Sequence, residues 1–125
     1  MSASTPPPPL ASSESAEGAA TRFVLELEFV SALADPEYCH YIVAHFVGKP
    51  GFLAYLRYLC AHWSTPPYAR HLRYPAGLLH LRLLAADESF RTSLADAAWA
   101  AGFKALQLDA WRAAAAADGD VGAPR

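Results

Sequence analysis

Acidic residues are missing where the chain is richest in rings: between Tyr38 and Ala86 there is not one Asp or Glu. Cysteine is also scarce. Cys39 and Cys60 are too few to staple a disulfide miniprotein and do not form a C-x-x-C pair, so a reducing compartment is expected. No segment reaches the roughly 18–20 uninterrupted apolar residues of a membrane-spanning helix. The opening MSASTPPPPLASSESAEGAAT has neither a basic start nor an apolar run, so no secretory signal is expected. A net charge of −2 leaves no room for a long basic arm or a strongly charged solvating tail. Catalytic signatures are lacking too: no G-x-S-x-G elbow, no glycine-rich phosphate loop, no H-E-x-x-H.

What is present can build a core. Of 125 residues, 54% are apolar and 12% aromatic, enough for one folded domain that is expected to be soluble and intracellular. Residues 1–20, rich in Pro, Ser, Ala and Gly, cannot bury enough apolar area to offset ordering, and read as a disordered leader. The Pro6–Pro9 run within it has the composition of a polyproline II ligand. Residues 118–125 read as a second loose end, which leaves 21–117 as the folded unit.

Between the ends the apolar residues recur at helical spacing. From Arg22, Phe23, Leu27, Val30 and Ala34 form one stripe and Leu25, Phe29 and Leu33 its neighbour, with Glu26, Glu28 and Ser31 left outside. Asp35-Pro36-Glu37 is a strong helix start, and Gly48 with Pro50 an expected stop near Val47. The run from Phe52 to Trp63 predicts a third helix, halted by Ser64-Thr65-Pro66-Pro67, which caps a short one through Tyr68 and Leu72. Tyr74-Pro75 opens a leucine-rich helix whose leucines point all around, as a central element's would. Asp87 caps a helix expected to run to Gly102, where a last helix with Phe103, Leu106 and Trp111 begins. Little alternates, and β-branched residues are few. The fold class is all-α: a small antiparallel helical bundle of about four core helices plus short or C-terminal ones.

Chemistry within that frame is thin. Cys39 and His40 diverge by about 100° on a helix, and Cys60 and His62 by about 200°, so neither pair converges on a metal. Ser64 beside His62 is explained as a helix-end residue, and Glu26 and Glu28 face different sides. No catalytic residue, cofactor or metal ligand is expected. The unusual feature is the acid-free window itself. It holds Lys49, Arg57, Arg70, Arg73, Arg82 and all six tyrosines, with Trp63 among them. Tyr, Trp and Arg are the residues of binding surfaces. Those rings suit a protein-binding groove and suit a bundle core equally. A nucleic-acid patch over residues 49–82 is the alternative, although five cations spread over four helices make a poor phosphate track.

The same residues carry a resemblance. Phe23 to Val30, the Asp35-Pro36 turn with Tyr38, and the Phe52, Tyr55, Leu56, Tyr58, Leu59 run open the pattern. Trp63, Pro66, Tyr68, Ala69, then Leu72, Tyr74, Pro75 and the closing Phe90-Arg91 follow in order. Together, over about residues 22–112, they resemble the subunit-31 family of the Mediator complex. The chain departs from that pattern in its short Val47–Gly51 link and in the alanine-rich stretch after Arg91. The resemblance implies a nuclear, non-catalytic helical subunit of the Mediator middle module, part of a coactivator that meets the RNA polymerase II machinery indirectly. It implies as partners the N-terminal, proline-containing segment of Mediator subunit 7 and other middle-module subunits, with no direct nucleic acid and no membrane. Extended prolines dock on aromatic-lined grooves. The anchors expected on this reading are Tyr55, Tyr58, Trp63, Tyr68 and Tyr74, with Arg57, Arg70 and Arg73 orienting acidic or carbonyl groups.

Overall fold

Ser15 opens the first helix by accepting a hydrogen bond from the Gly18 amide at 2.9 Å, one of the four donors a helix start leaves without partners. The computed structural model describes residues 14–122, and side chains as far as residue 117. Seven helices follow in order: α1 Ala16–Ala32, α2 Pro36–His45, α3 Phe52–Trp63, α4 Pro66–Ala69, α5 Pro75–Ala86, α6 Glu88–Leu94 and α7 Ala97–Gly122. Among the described residues there is no strand, and no helix is long and apolar enough to cross a membrane. The all-α expectation holds.

Boundaries differ from the sequence reading in physically instructive ways. Helix α1 already includes residues 16–20, which composition assigns to a loose leader, because the Ser15 cap lies before them. Helix α7 runs past residue 118 to Gly122; residues 1–13 and 123–125 lie outside the described residues. The helix expected from Asp87 to Gly102 is two. Asp96 breaks it by accepting from the Ala98 amide at 2.8 Å and the Trp99 amide at 3.3 Å, so α7 starts there and passes through Gly102 unbroken. Asp35 and Asp87 cap α2 and α6 as their residue types demand. Helix α2 stops at His45, and the left-handed residue before α3 is Gly51 (φ +82°), not Gly48.

The core is Val30, Leu33, Ile42, Leu56, Leu59, Trp63, Leu81, Leu84 and Leu94, drawn from five helices. Helix α5 lies at its centre, packed on α1, α3 and α6, and Gly77 lets it approach α1 closely. Leu79 and Arg82 nonetheless face outward, so the leucine-rich helix is covered on most sides but not all.

Side chains from neighbouring helices satisfy the carbonyls that helix ends leave open. Leu33 O, at the end of α1, accepts from Cys39 Sγ at 3.1 Å and His80 Nδ1 at 2.6 Å. Ala34 O accepts from Gln107 Nε2 (2.7 Å), Leu84 O from Arg91 (2.7 Å), and Leu94 O from His40 Nδ1 (2.6 Å). These bonds account for Cys39, His40 and His80 as structural groups. A carbonyl only accepts, so His80 Nδ1 carries its hydrogen and cannot take the Cys39 proton 4.0 Å away. Burial, reinforced by Asp35, pushes the Cys39 thiol up to about 12. Among the described residues, no three His, Cys, Asp or Glu are grouped to hold a metal ion.

Burial lowers the His80 pKa below its ordinary value, more than its bond to Leu33 O raises it. The unfolded chain therefore takes up a proton near pH 6.5, the ordinary histidine value, that the folded chain refuses. This contribution to stability is full above about pH 6.5 and falls as the pH drops toward the depressed folded value. Thermal unfolding between pH 7.5 and 5 should show the loss. His80→Asn, which keeps a donor near Nδ1, should be less stable at neutral pH and flatten the pH slope. An unchanged slope would assign the acid sensitivity elsewhere.

Candidate protein-docking surface

Helices α1 and α3 run antiparallel, and their pairing sets the surface. Phe29 meets Tyr55 (6.4 Å between ring centres), Glu26 meets Tyr58 and Trp63, and Phe23 stacks on Trp63 at 5.4 Å. Outside this seam the rings continue as a ladder. Tyr41 of α2 leads to Phe46 (5.8 Å), then Phe52 (5.7 Å), Tyr55 (6.1 Å), Tyr58 (6.2 Å), His62 (5.6 Å) and Tyr68 of α4 (4.1 Å). Positions 52, 55, 58 and 62 share one face of α3 because they are three and four residues apart. Tyr41 and Tyr55 remain 47% and 41% exposed, which is what a partner could touch; the rings between them are half-buried. Lys49 sits over the Phe46 ring at 5.4 Å and supplies a cation at that end.

Beneath the ladder lies a buried carboxylate. Glu26 is 5% exposed, contrary to the expectation that it faces solvent. Its Oε1 accepts from Trp63 Nε1 at 2.9 Å and its Oε2 from the Tyr58 hydroxyl at 3.3 Å, with Arg22 3.6 Å away. Arg22 also donates to the Tyr58 hydroxyl at 3.0 Å and grips Glu14 through two nitrogens at 2.9–3.1 Å. A buried carboxylate is tolerable only when so paired and bonded. The bond to Glu14, followed by attraction to Tyr58 and Glu26, holds the Arg22 pKa above the usual arginine range. Burial and then the Glu26 charge push the Tyr58 and Tyr55 hydroxyls upward, so both stay neutral donors at physiological pH. Tyr58 is thus pinned by its hydroxyl while its ring is displayed, the arrangement that spares a binding surface the entropy of ordering.

The residues singled out from sequence do not form one surface. Tyr55, Tyr58 and Tyr68 come together in the ladder. Trp63 lies under it with no exposed surface, its indole N–H bonded to Glu26 and its ring packed between Phe23 and Tyr68. Arg57 falls on the α5 side of α3, sharing a shallow depression of about 550 Å³ with Arg82. Arg70 ends α4 and Arg73 lies in the loop after it, both exposed. Tyr74 stands apart, stacked on Trp111 of α7 (6.4 Å, 20°) beside a hollow of about 510 Å³ that also meets Lys104 and Gln107. The cations that do border the ladder, Arg22 and Lys49, were not among the expected anchors. The spacing held a clue to Glu26: it falls three residues after Phe23 and four before Val30, on the core stripe, and four after Arg22.

Comparison with known proteins places this surface in context. The family model Med31, described as SOH1, matches residues 20–115. The chain is similar to the Mediator of RNA polymerase II transcription subunit 31 of Cryptococcus neoformans, 41% identical over 99 residues that cover 73% of this chain and 54% of that protein. It is 38% identical over 91 residues to the Arabidopsis thaliana protein of the same name, covering 72% and 45%. Against the Caenorhabditis elegans one it is 40% identical over 83 residues, covering 66% and 46%. The matches span about half the length of these relatives.

Proposed function

Because the chain belongs to the Med31 (SOH1) family, we propose that it is a non-catalytic scaffold subunit of the Mediator complex, acting in the nucleus in regulated RNA polymerase II transcription. Its ladder receives an extended, proline-containing segment of a neighbouring subunit, the N-terminal segment of Mediator subunit 7 in the middle module. One observation carries this reading: a run of rings about 6 Å apart, exposed at Tyr41 and Tyr55 and pinned at Tyr58. A polyproline II segment loses little entropy on binding and presents flat apolar faces that rings can clasp. Tyr55, Tyr58 and Tyr68 are the anchors; Arg57, Arg70, Arg73 and Tyr74 lie outside this contact, and Trp63 supports it from below.

Tyr55→Ala should weaken binding of the subunit 7 segment by about tenfold or more, as loss of an aromatic hot spot does, with the far-UV circular dichroism unchanged. Binding should respond little to salt between about 50 and 200 mM, whereas several phosphate contacts would make it fall by orders of magnitude. Wild-type affinity in the Tyr55→Ala variant would refute the assignment of the ladder. A steep salt response with nucleic acid as the bound species would favour a nucleic-acid module instead.

A further inference from the structure

We propose that the chain has a second docking surface, on α5 and α7, which receives an acidic amphipathic helix of another protein. Along α5, Pro75, Leu79, Arg82 and Ala86 fall three and four residues apart and stay exposed, while every other residue of the helix is at least partly covered. Toward α7 this stripe borders a groove of about 830 Å³ walled by Leu72, Leu79, Phe103, Leu106 and Trp111. Leu79 is 52% exposed and Leu106 70%, so these walls offer apolar surface that no other described helix covers. Toward α3 it borders the depression of about 550 Å³ that Arg82 shares with Arg57. Arg82 lines both hollows, and none of the ladder rings lines either.

Charge decides the sign of the occupant. Helices α3 and α5 contain no Asp or Glu, and among the described residues neither Arg57 nor Arg82 enters an ion pair. Other cations are engaged: Arg22 with Glu14 and Glu26, Lys104 with Asp35 and Glu37, Arg112 with Asp109. Asp87 and Glu88, next along the chain, open α6 and line neither hollow. Two guanidiniums sharing a hollow without a carboxylate suit one supplied from outside, which each can take through two parallel bonds. The lining decides the conformation. His80 and Gln107 are already bonded to Leu33 O and Ala34 O, so the groove offers an incoming main chain little to bond with. An extended segment would lay its N–H and C=O groups against hydrocarbon, whereas a helix satisfies its own. Residues 75–86 rise about 17 Å along α5, which matches roughly three turns of a docked helix with apolar residues at i, i+3/i+4 and i+7. A second copy presenting the same groove would bring no Asp or Glu to Arg82, since the lining contains none.

The test uses the full chain and a synthetic helical peptide of about 15 residues, with leucines at i, i+4 and i+7 and glutamates along one flank. A second peptide carries lysines in place of the glutamates. The glutamate peptide should shift the methyl resonances of Leu79 and Leu106 and bind at least about tenfold more tightly than the lysine peptide. Arg57→Glu combined with Arg82→Glu should reverse that preference, a result that a merely structural role for either arginine would not produce. Leu106→Ala should weaken the glutamate peptide by about tenfold with the far-UV circular dichroism unchanged, because that side chain is mostly exposed. Tyr55→Ala should leave the affinity as it is, which separates this surface from the ladder. No binding of the glutamate peptide, equal binding of the two peptides, or a preference that survives the charge reversal would overturn the inference. Dimerisation of the full chain that Leu106→Ala abolishes would overturn it as well, by giving the groove to a second copy.

Discussion

Trp63→Ala is expected to lower the stability of the folded chain by about 3–5 kcal/mol, a large share of the roughly 5–15 kcal/mol that holds a domain together. Three losses add in the same direction. The indole is fully buried between Phe23 and Tyr68, so its removal leaves a cavity under the ladder. Its N–H satisfies Glu26 Oε1, and a buried acceptor left without its donor costs about 1–3 kcal/mol more. The rings it supports then lose their footing. Trp63→Phe separates these effects, since it keeps most of the volume but not the donor. Denaturant unfolding should show Trp63→Phe destabilised by at least about 1 kcal/mol, and the loss should shrink when Glu26→Gln is also present, because an uncharged amide is cheaper to leave unpaired. Equal losses in both backgrounds would mean that the Trp63–Glu26 bond contributes nothing.

Gly77→Ala should be nearly as damaging, about 1–3 kcal/mol, for a reason opposite to a cavity. A Cβ built on Gly77 would stand 2.5 Å from the carbonyl oxygen of Val30, and that atom belongs to the α1 backbone, which cannot swing aside as a side chain would. Helix α5 must therefore lift from α1, loosening Leu81 and Val30 together. Intrinsic propensity argues the other way, since alanine is favoured over glycine in a helix by about 1 kcal/mol, so the clash has to exceed that gain. Gly102→Ala supplies the contrast. It lies exposed within α7 with nothing within 4 Å of its would-be Cβ, and the same substitution there should stabilise by roughly 0.5–1 kcal/mol. Thermal melts of the two variants should move in opposite directions.

Together these variants distinguish a residue that contacts a partner from one that holds the contact in place. Loss of Tyr55 should leave the fold intact and affect binding; loss of Trp63 should affect both. A binding defect at Trp63 is therefore no evidence of direct contact, because the indole has no surface to offer.

Helix class and most helix starts were legible in the chain itself, because they depend on local chemistry. Asp35-Pro36, Asp87 and the prolines that open α4 and α5 act within one turn, and the apolar spacing of Phe52 to Trp63 needs no distant neighbour to be helical. Where two local signals compete, the reading failed: Gly102 looked like a break, yet Asp96 accepts two amide hydrogens and ends the preceding helix first. The concentration of rings in an acid-free window was equally plain, and so was the family pattern they compose.

Which ring faces outward was not legible, because helical spacing relates residues on one helix and says nothing of what a second helix sets against them. Only the antiparallel docking of α1 on α3 puts Trp63 and Tyr58 against Glu26, and so turns the expected solvent-facing acid into the buried centre of a network. Only the docking of α7 moves Tyr74 onto Trp111 and away from the other tyrosines, and only the packing of α5 on α3 carries Arg57 to the far side. The chain alone determined the helices and the kinds of side chain available for contact. Tertiary packing decided which of them the contact can reach, since burial is a property of pairs of surfaces and no single stretch of sequence contains both.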